Sequence, residues 1–274
     1  LTAPSIASFY AHTTRPNNGE EVAYQLFERD WIRVALGGGA ADFLPQDEGR
    51  RADKRDLLAD LKAKTQRVRV VRTKAELENV PTTESGRVVG VFSPGAMPYA
   101  TTMESGNQVP SLADMTRRAI GLLRGQRGGY VLVVDASLYT SACEMNQAEK
   151  AMGEVRALDE AVATARREAG DKALIMVVGR NGVGGMTLSG YPIRQQKDIF
   201  AISPEGYPFI TWASGPNGGQ PGATGVRQQP AAVMQASALN NAEDMIVIGC
   251  GPGAEQLRGF LDSTVIFKII SDAL

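Results

Sequence analysis

Histidine is nearly missing from this chain: His12 is the single imidazole among 274 residues. Cysteine is almost as scarce, and Cys143 and Cys250 lie far apart with no metal-type spacing. Zinc sites recruit several imidazoles or thiolates, so a zinc centre here would need to be built almost wholly from carboxylates, and none is expected. Each cysteine is expected to be a small buried apolar residue, not half of a disulfide. An excess of charge is missing too. With 29 basic and 30 acidic residues the formal net charge is -1, which gives no reason to expect nucleic acid or an acidic membrane as partner. The pairs Arg50-Arg51 and Arg166-Arg167 are expected as solvated charge, because no aromatic residues interleave with them. No apolar run approaches the ~20 residues that cross a bilayer, so no membrane span is expected and the chain should be soluble. The first residue is Leu1, not Met, so N-terminal sequence is expected to have been removed or left out. No targeting segment remains, and the sequence carries no address.

What is present is a chain 43% hydrophobic, enough for one large globular domain, or one plus a small appendage. Residues 20–30 have helical spacing, with Val22, Ala23, Leu26 and Phe27 on one face. Residues 31–36 are expected as a strand ending at Gly37-Gly38-Gly39. A helix beginning near Asp53 follows, then a strand at 68–71, a short helix at 74–77 and a strand at 88–92. Pro110-Ser111 opens a helix carrying Leu112, Met115, Ala119, Leu122 and Leu123. Tyr130 to Asp135 is expected as a buried strand, and residues 145–169 as a long helix burying Ala148, Met152, Val155, Leu158, Val162 and Ala165. Strands at 173–178 and 245–249 and a helix at 265–274 complete the pattern. Apolar strands separated by helices argue for an α/β fold with a largely parallel sheet covered on both faces. Residues 182–227, rich in Gly, Pro and Gln, are expected as an insertion of hairpins and loops.

Seven segments lie in an order that resembles the alkaline phosphatase family, in its animal-type form. They are Tyr10-Ala11-His12-Thr13, Val34 to Gly39, Val89 to Gly95, Pro110 to Thr116, Leu158 to Val162, Gly190 to Arg194, and Glu243-Asp244-Met245 with Gly251 to Ala254. No one of them is specific; their order is. The resemblance implies that residues 1–274 form one alkaline-phosphatase-like domain, a three-layer sandwich that corresponds to the C-terminal part of the family fold. It also implies two zinc ions and a magnesium near the C-terminal edge of the sheet. The zincs orient phosphate and activate a serine nucleophile and then water, and an arginine pairs with the phosphate. Paired cations about 3.5–4 Å apart clamp the attacking and leaving oxygens of such a displacement.

Carried over position by position, the resemblance implies a degenerate site. A magnesium-binding glutamate falls on Asp135, and the other magnesium positions fall around Ala3 and Ser5. Zinc-binding aspartate and histidine fall on Thr140 and Glu144, an Asp-His pair falls on Arg180-Asn181, and a last zinc-binding histidine falls at or beside Asn240. Arg15 lies one residue from the position of the phosphate-binding arginine, and the nucleophile belongs to a segment upstream of Leu1. The guanidinium of Arg180 would repel a cation; it either pairs with Asp135 or Glu144 or points to solvent.

No cofactor is therefore expected, with residual magnesium or calcium at Asp135 and Glu144 as the lesser alternative. His12 is expected as a helix-borne structural residue, Asp159 and Glu160 as surface or capping residues, and Gly37-Gly38-Gly39 as close backbone packing instead of a phosphate loop. The expected function is a non-catalytic alkaline-phosphatase-like protein with a structural or interaction role in a larger assembly. The alternatives are a metal-dependent phosphomonoester hydrolase whose nucleophile lies upstream, and a phosphate-binding protein using Arg15 and Arg180. Other chains or an N-terminal segment are expected to complete the sheet, and a homodimer is compatible with the family. The family works mostly outside the cytosol.

Overall fold

The computed structural model describes residues 1–15, 17–64, 67–83, 86–103, 106, 108–188, 199–200, 208–216 and 229–274. The chain opens with a short helix α1 (Pro4–Ala7) and a longer α2 (Gly19–Glu28), then strand β1 (Val34–Gly37). Helix α3 (Leu57–Lys64), strand β2 (Val68–Val71), helix α4 (Lys74–Glu78) and strand β3 (Arg87–Val91) follow. These strands form a parallel sheet in the order β1-β3-β2, with Val34 opposite Val88 and Val68 opposite Arg87.

Both faces of this sheet are covered, which is why its central strand is buried at every position. On one face Ala35, Val89 and Val91 pack against Val22, Leu26 and Phe27 of α2 and Leu57, Leu58 and Leu61 of α3. On the other, Val71 and Val88 meet Leu77 of α4 and Leu122 of α5 (Leu112–Leu123), with Val34 and Leu36 packed alongside. The buried Arg87 ties β3 to α2: its guanidinium donates to the main-chain oxygens of Leu26, at 2.6 Å, and Phe27, at 3.2 Å. Those carbonyls belong to the last turn of α2, where the Leu26 oxygen also accepts the Arg29 amide at 3.2 Å. Helix α5 starts at a capping box between Ser111 and Asp114.

Two expectations fail in the next segment. Residues 130–135 form no strand: no main-chain hydrogen bond involves Val131, Leu132, Val133 or Val134 among the described residues. The apolar run signals a strand only where a neighbouring edge lies at pairing distance, and among the described residues none pairs with it. Helix α6 (Leu138–Glu144) and the long α7 (Ala148–Ala169) come next. The face that α7 buries is also turned from the expected one. Ala148, Ala151, Glu154, Ala161 and Thr164 are buried, whereas Val155 is 50% exposed. Gly153 sits so close to Thr101 that a Cβ there would lie 2.3 Å from its Cγ2, and Glu154 accepts the Ala100 amide at 2.6 Å. Small side chains and one capping carboxylate therefore face inward, and they displace the larger aliphatics.

Strand β4 (Ile175–Val178) precedes three short strands, β5 (Gly182–Val183), β6 (Thr187–Leu188) and β7 (Ile210–Gly215). Then come β8 (Ala231–Met234), β9 (Asn240–Asn241), β10 (Val247–Cys250) and helix α8 (Ser263–Ala273). β4 pairs antiparallel with β10, β5 with β9 and β6 with β7, while β7 and β8 are parallel. Parallel pairing is thus concentrated in β1-β3-β2, and the rest is mixed. Trp212 and Ile210 form a second core with Cys143, Ala148 and Ala151, so β7 packs on α6 and α7. Residues 189–198, 201–207 and 217–227 of the expected insertion, including Gly190 to Arg194, lie outside the described residues. Both cysteines are free, Cys143 buried and Cys250 half-buried. Among the described residues no helix is long and apolar enough to cross a membrane.

Candidate functional site

The fold brings Ser5 and Asp135 together across 130 positions of sequence. Ser5 Oγ donates to Asp135 Oδ2 at 2.7 Å, and both side chains are half-buried. Ser137 completes the carboxylate's shell, its Oγ donating to Oδ2 at 3.0 Å and its main-chain N–H to Oδ1 at 3.2 Å. That last contact is a local turn of the kind Asp makes two residues on. Ser137 was invisible as a site residue in the sequence, although the Asp-x-Ser spacing is the signal that could have found it. Glu144 is not a partner of Asp135. Its main-chain oxygen instead accepts the Ala238 amide at 2.8 Å, which fixes the end of α6 against the loop before β9.

A second pair forms at the mouth of β5 and β9, where Asn181 Nδ2 donates to Asn240 Oδ1 at 2.8 Å. The other oxygen, Asn181 Oδ1, is buried without a hydrogen-bond partner among the described residues. Thr140 is half-buried on α6. Arg180 is exposed, and no ion pair joins it to Asp135 or Glu144, so the solvent-facing alternative holds. Arg15 is exposed as well, its amide held by Thr13 Oγ1 at 3.0 Å. His12 lies beyond α1, not on a helix, and its main-chain groups exchange two 2.8 Å hydrogen bonds with the Gln25 side-chain amide. Among the described residues no group of three or more His, Cys, Asp or Glu is placed to hold a metal ion.

The glycine run after β1 is a packing device. A Cβ on Gly38 would lie 2.3 Å from the Gly95 carbonyl oxygen, and Gly39 adopts φ +93 while donating to that same oxygen at 2.7 Å. Beside it, Asp42 is almost wholly buried and accepts from Thr2 Oγ1, with Arg50 Nε 3.2 Å away. Neither Asp42 nor Thr2 was legible as a pair, because 40 residues separate them.

A parallel sheet with helices on both faces defines an α/β protein. The family model for alkaline phosphatase matches residues 6–206, and the chain belongs to that family. It is 27% identical to the tissue-nonspecific alkaline phosphatase of Gallus gallus over 88% of this chain and 52% of that protein. To the human tissue-nonspecific isozyme it is 25% identical, over 93% of this chain and 55% of that one. Among solved structures, Thermus thermophilus alkaline phosphatase shares 34% identity, covering 68% of this chain and 38% of that one, with a TM-score of 0.61. Alkaline phosphatase from the Antarctic bacterium TAB5 is 23% identical, with a TM-score of 0.72 over 99% of this chain and 68% of that one. The chain thus spans roughly half the length of the animal relatives it matches.

These findings correct the expectation that no cofactor is held. The chain sits among metal-dependent phosphatases, and a variant of the TAB5 enzyme, 20% identical to this chain, was solved with Mg bound in its M3 site. The donors that the fold gathers are all oxygens: a hydroxyl and a carboxylate at Ser5 and Asp135, amides at Asn181 and Asn240. Oxygen donors suit a hard cation such as magnesium, and Ser5 and Asp135 would hold it; zinc favours imidazole and thiolate. When bound, such a cation would supply positive charge beside Asp135.

Proposed function

We propose that this chain is a non-catalytic member of the alkaline phosphatase family, with a structural or protein-interaction role in a larger assembly. The observation that supports this most strongly is the Asn181–Asn240 hydrogen bond, 2.8 Å long. At positions where the resemblance implies zinc ligands, one neutral amide donates to another. Thr140 and Arg180 add a hydroxyl and an exposed cation at further positions of that set. Function resides in the site and not in the fold, and an amide pair neither lowers the pKa of water nor stabilises an alkoxide as a zinc pair does. The retained Ser5–Asp135 contact acts as a structural position, able to take a hard cation without a catalytic partner ion. Association with other chains, as homodimer or hetero-assembly, is the corresponding mode of action.

Ser5 and Asp135 are also the observation that favours the rival, a hydrolase with its nucleophile upstream of Leu1 and an altered metal set. Turnover of an aryl phosphate by the full polypeptide, supplied with zinc and magnesium, separates the two. We expect kcat/KM below about 1 M⁻¹ s⁻¹, against the ~10⁴–10⁸ M⁻¹ s⁻¹ of working enzymes. Chelator-sensitive turnover within that range would overturn the proposal.

A further inference from the structure

One short stretch departs from the charge balance of the whole. Between Asp60 and Glu76 the chain carries Lys62, Lys64, Arg67, Arg69, Arg72 and Lys74 and no carboxylate, although its formal net charge is -1. All are exposed except Lys74, which is half-buried. Lys64 lies 3.8 Å from Asp30, and Lys74 2.7 Å from Asp114. Among the described residues neither Lys62 nor Arg72 joins an ion pair. Lys62 and Lys64 end α3, where cations complement the helix dipole. That reason does not extend to the arginines, which sit on and beside β2.

β2 is the outermost strand of its sheet and pairs with β3 alone. Arg67 O accepts the Arg87 amide at 2.7 Å, and alternate residues of a strand turn their main-chain groups to opposite sides. The N–H and C=O of Val68 and of Val70 therefore point away from β3. Among the described residues neither has a main-chain hydrogen bond on that side. The free run ends at Arg72, whose amide donates to Glu76 Oε2 at 2.6 Å. The two faces of this edge differ. Val68 and Val70 are half-buried against the core shared with α2 and α3, whereas Arg67 and Arg69 share the other face and are exposed.

Charged side chains on an edge block unwanted pairing, but a single sign blocks only strands that carry the same sign. A second copy would present the same arginines and be repelled. A segment with carboxylates opposite Arg67 and Arg69, and apolar side chains opposite Val68 and Val70, gains cross-strand pairs on both faces. Nucleic acid fits less well. It has no ladder of peptide groups to offer Val68 and Val70, and no aromatic residue lies between Asp60 and Glu76 for a base to stack on.

We propose that the outer edge of β2 is a docking site for an acidic, extended segment of a partner protein, which adds to the sheet as a further strand. This gives the interaction role proposed above a partner class, and it rests on that reading for its purpose in an assembly.

The probe is an end-blocked peptide of alternating glutamate and valine, added to the full polypeptide while hydrogen exchange is followed by residue. At saturation the Val68 and Val70 amides should exchange at least about tenfold slower, with Val89 on β3 unchanged. A peptide with prolines in place of the valines keeps the charge and lacks those N–H groups, so it should bind at least about tenfold more weakly. Arg69→Glu should weaken the glutamate peptide by about tenfold or more and favour a lysine–valine peptide instead; the exchange result on the unaltered protein stands without that variant. Unchanged exchange at Val68 and Val70 with about 1 mM peptide would overturn the strand site. Equal binding of the proline peptide, or of an oligothymidylate of equal charge, would overturn it in favour of a polyanion patch. Turnover of an aryl phosphate would refute the non-catalytic reading and leave these results standing, so the two failures are distinguishable.

Discussion

The Ser5–Asp135 hydrogen bond joins α1 to the segment leading into α6, and its strength can be worked from its surroundings. Replacing Asp135 by Ala removes one long-range bond, from Ser5 Oγ at 2.7 Å, and two local ones from Ser137. A hydrogen bond to a charged group contributes about 1.5–3 kcal/mol. Both side chains are half-buried, so water can replace part of the loss and the low end applies to the Ser5 bond, about 1.5 kcal/mol. The turn bonds from Ser137 form within two residues and survive in part in the unfolded chain, which leaves about 0.5 kcal/mol each. Asp135→Ala should therefore cost about 2–3 kcal/mol and Ser5→Ala about 1.5 kcal/mol. The double variant should cost little more than Asp135→Ala alone, giving a coupling energy of about 1–1.5 kcal/mol. Urea midpoints of the full polypeptide and its three variants, at unchanged m, provide the measurement. A coupling energy within about 0.3 kcal/mol of zero would show that the contact carries no stability and that the two halves are held together elsewhere.

Two further expectations follow from close packing and from a buried charge. Gly38→Ala places a Cβ 2.3 Å from the Gly95 oxygen and 3.1 Å from the Met97 nitrogen, main-chain atoms that cannot rotate away, so it should cost about 1–3 kcal/mol in chemical unfolding. Gly95→Ala is the control, since its Cβ would meet nothing within 4 Å; equal losses for the two would refute the packing account. Burial raises the pKa of Glu154, a shift that the Ala100 amide partly offsets. Above the ordinary glutamate value of 4.5 the folded protein holds this proton longer than the unfolded chain, so the stability it contributes is lost as pH rises through the raised value. Glu154→Gln, which still accepts the Ala100 bond, should flatten the fall in urea midpoint as pH rises above 4.5; an unchanged slope would count against that sign.

Comparing elements one by one separates local from distant information. The strand at 68–71, the helix opened by Ser111 and the Leu57, Leu58 and Leu61 face were all legible, because capping and periodicity act over a few residues. Tyr130 to Val134 was misjudged for the opposite reason. Its apolar pattern is that of a strand, but a strand needs a partner edge, and residue order cannot report whether one lies at pairing distance. The turn of α7 toward Gly153 and Glu154 was likewise hidden, since it answers to Thr101 and Ala100, some fifty residues earlier.

The candidate site divides along the same line. Residue identities alone determined that the chain carries one imidazole and two thiols, since ligand chemistry is a property of the side chain wherever it sits. They also determined family membership, because seven short motifs in order survive without any one contact. Tertiary structure alone decided that Asn181 meets Asn240, that Ser5 and not Glu144 meets Asp135, and that Arg180 turns outward. The two hydrogen bonds join segments 59 and 130 positions apart, brought together by sheet pairing and helix packing. Side-chain chemistry is written locally; which groups become neighbours is an outcome of the whole chain finding its packed arrangement.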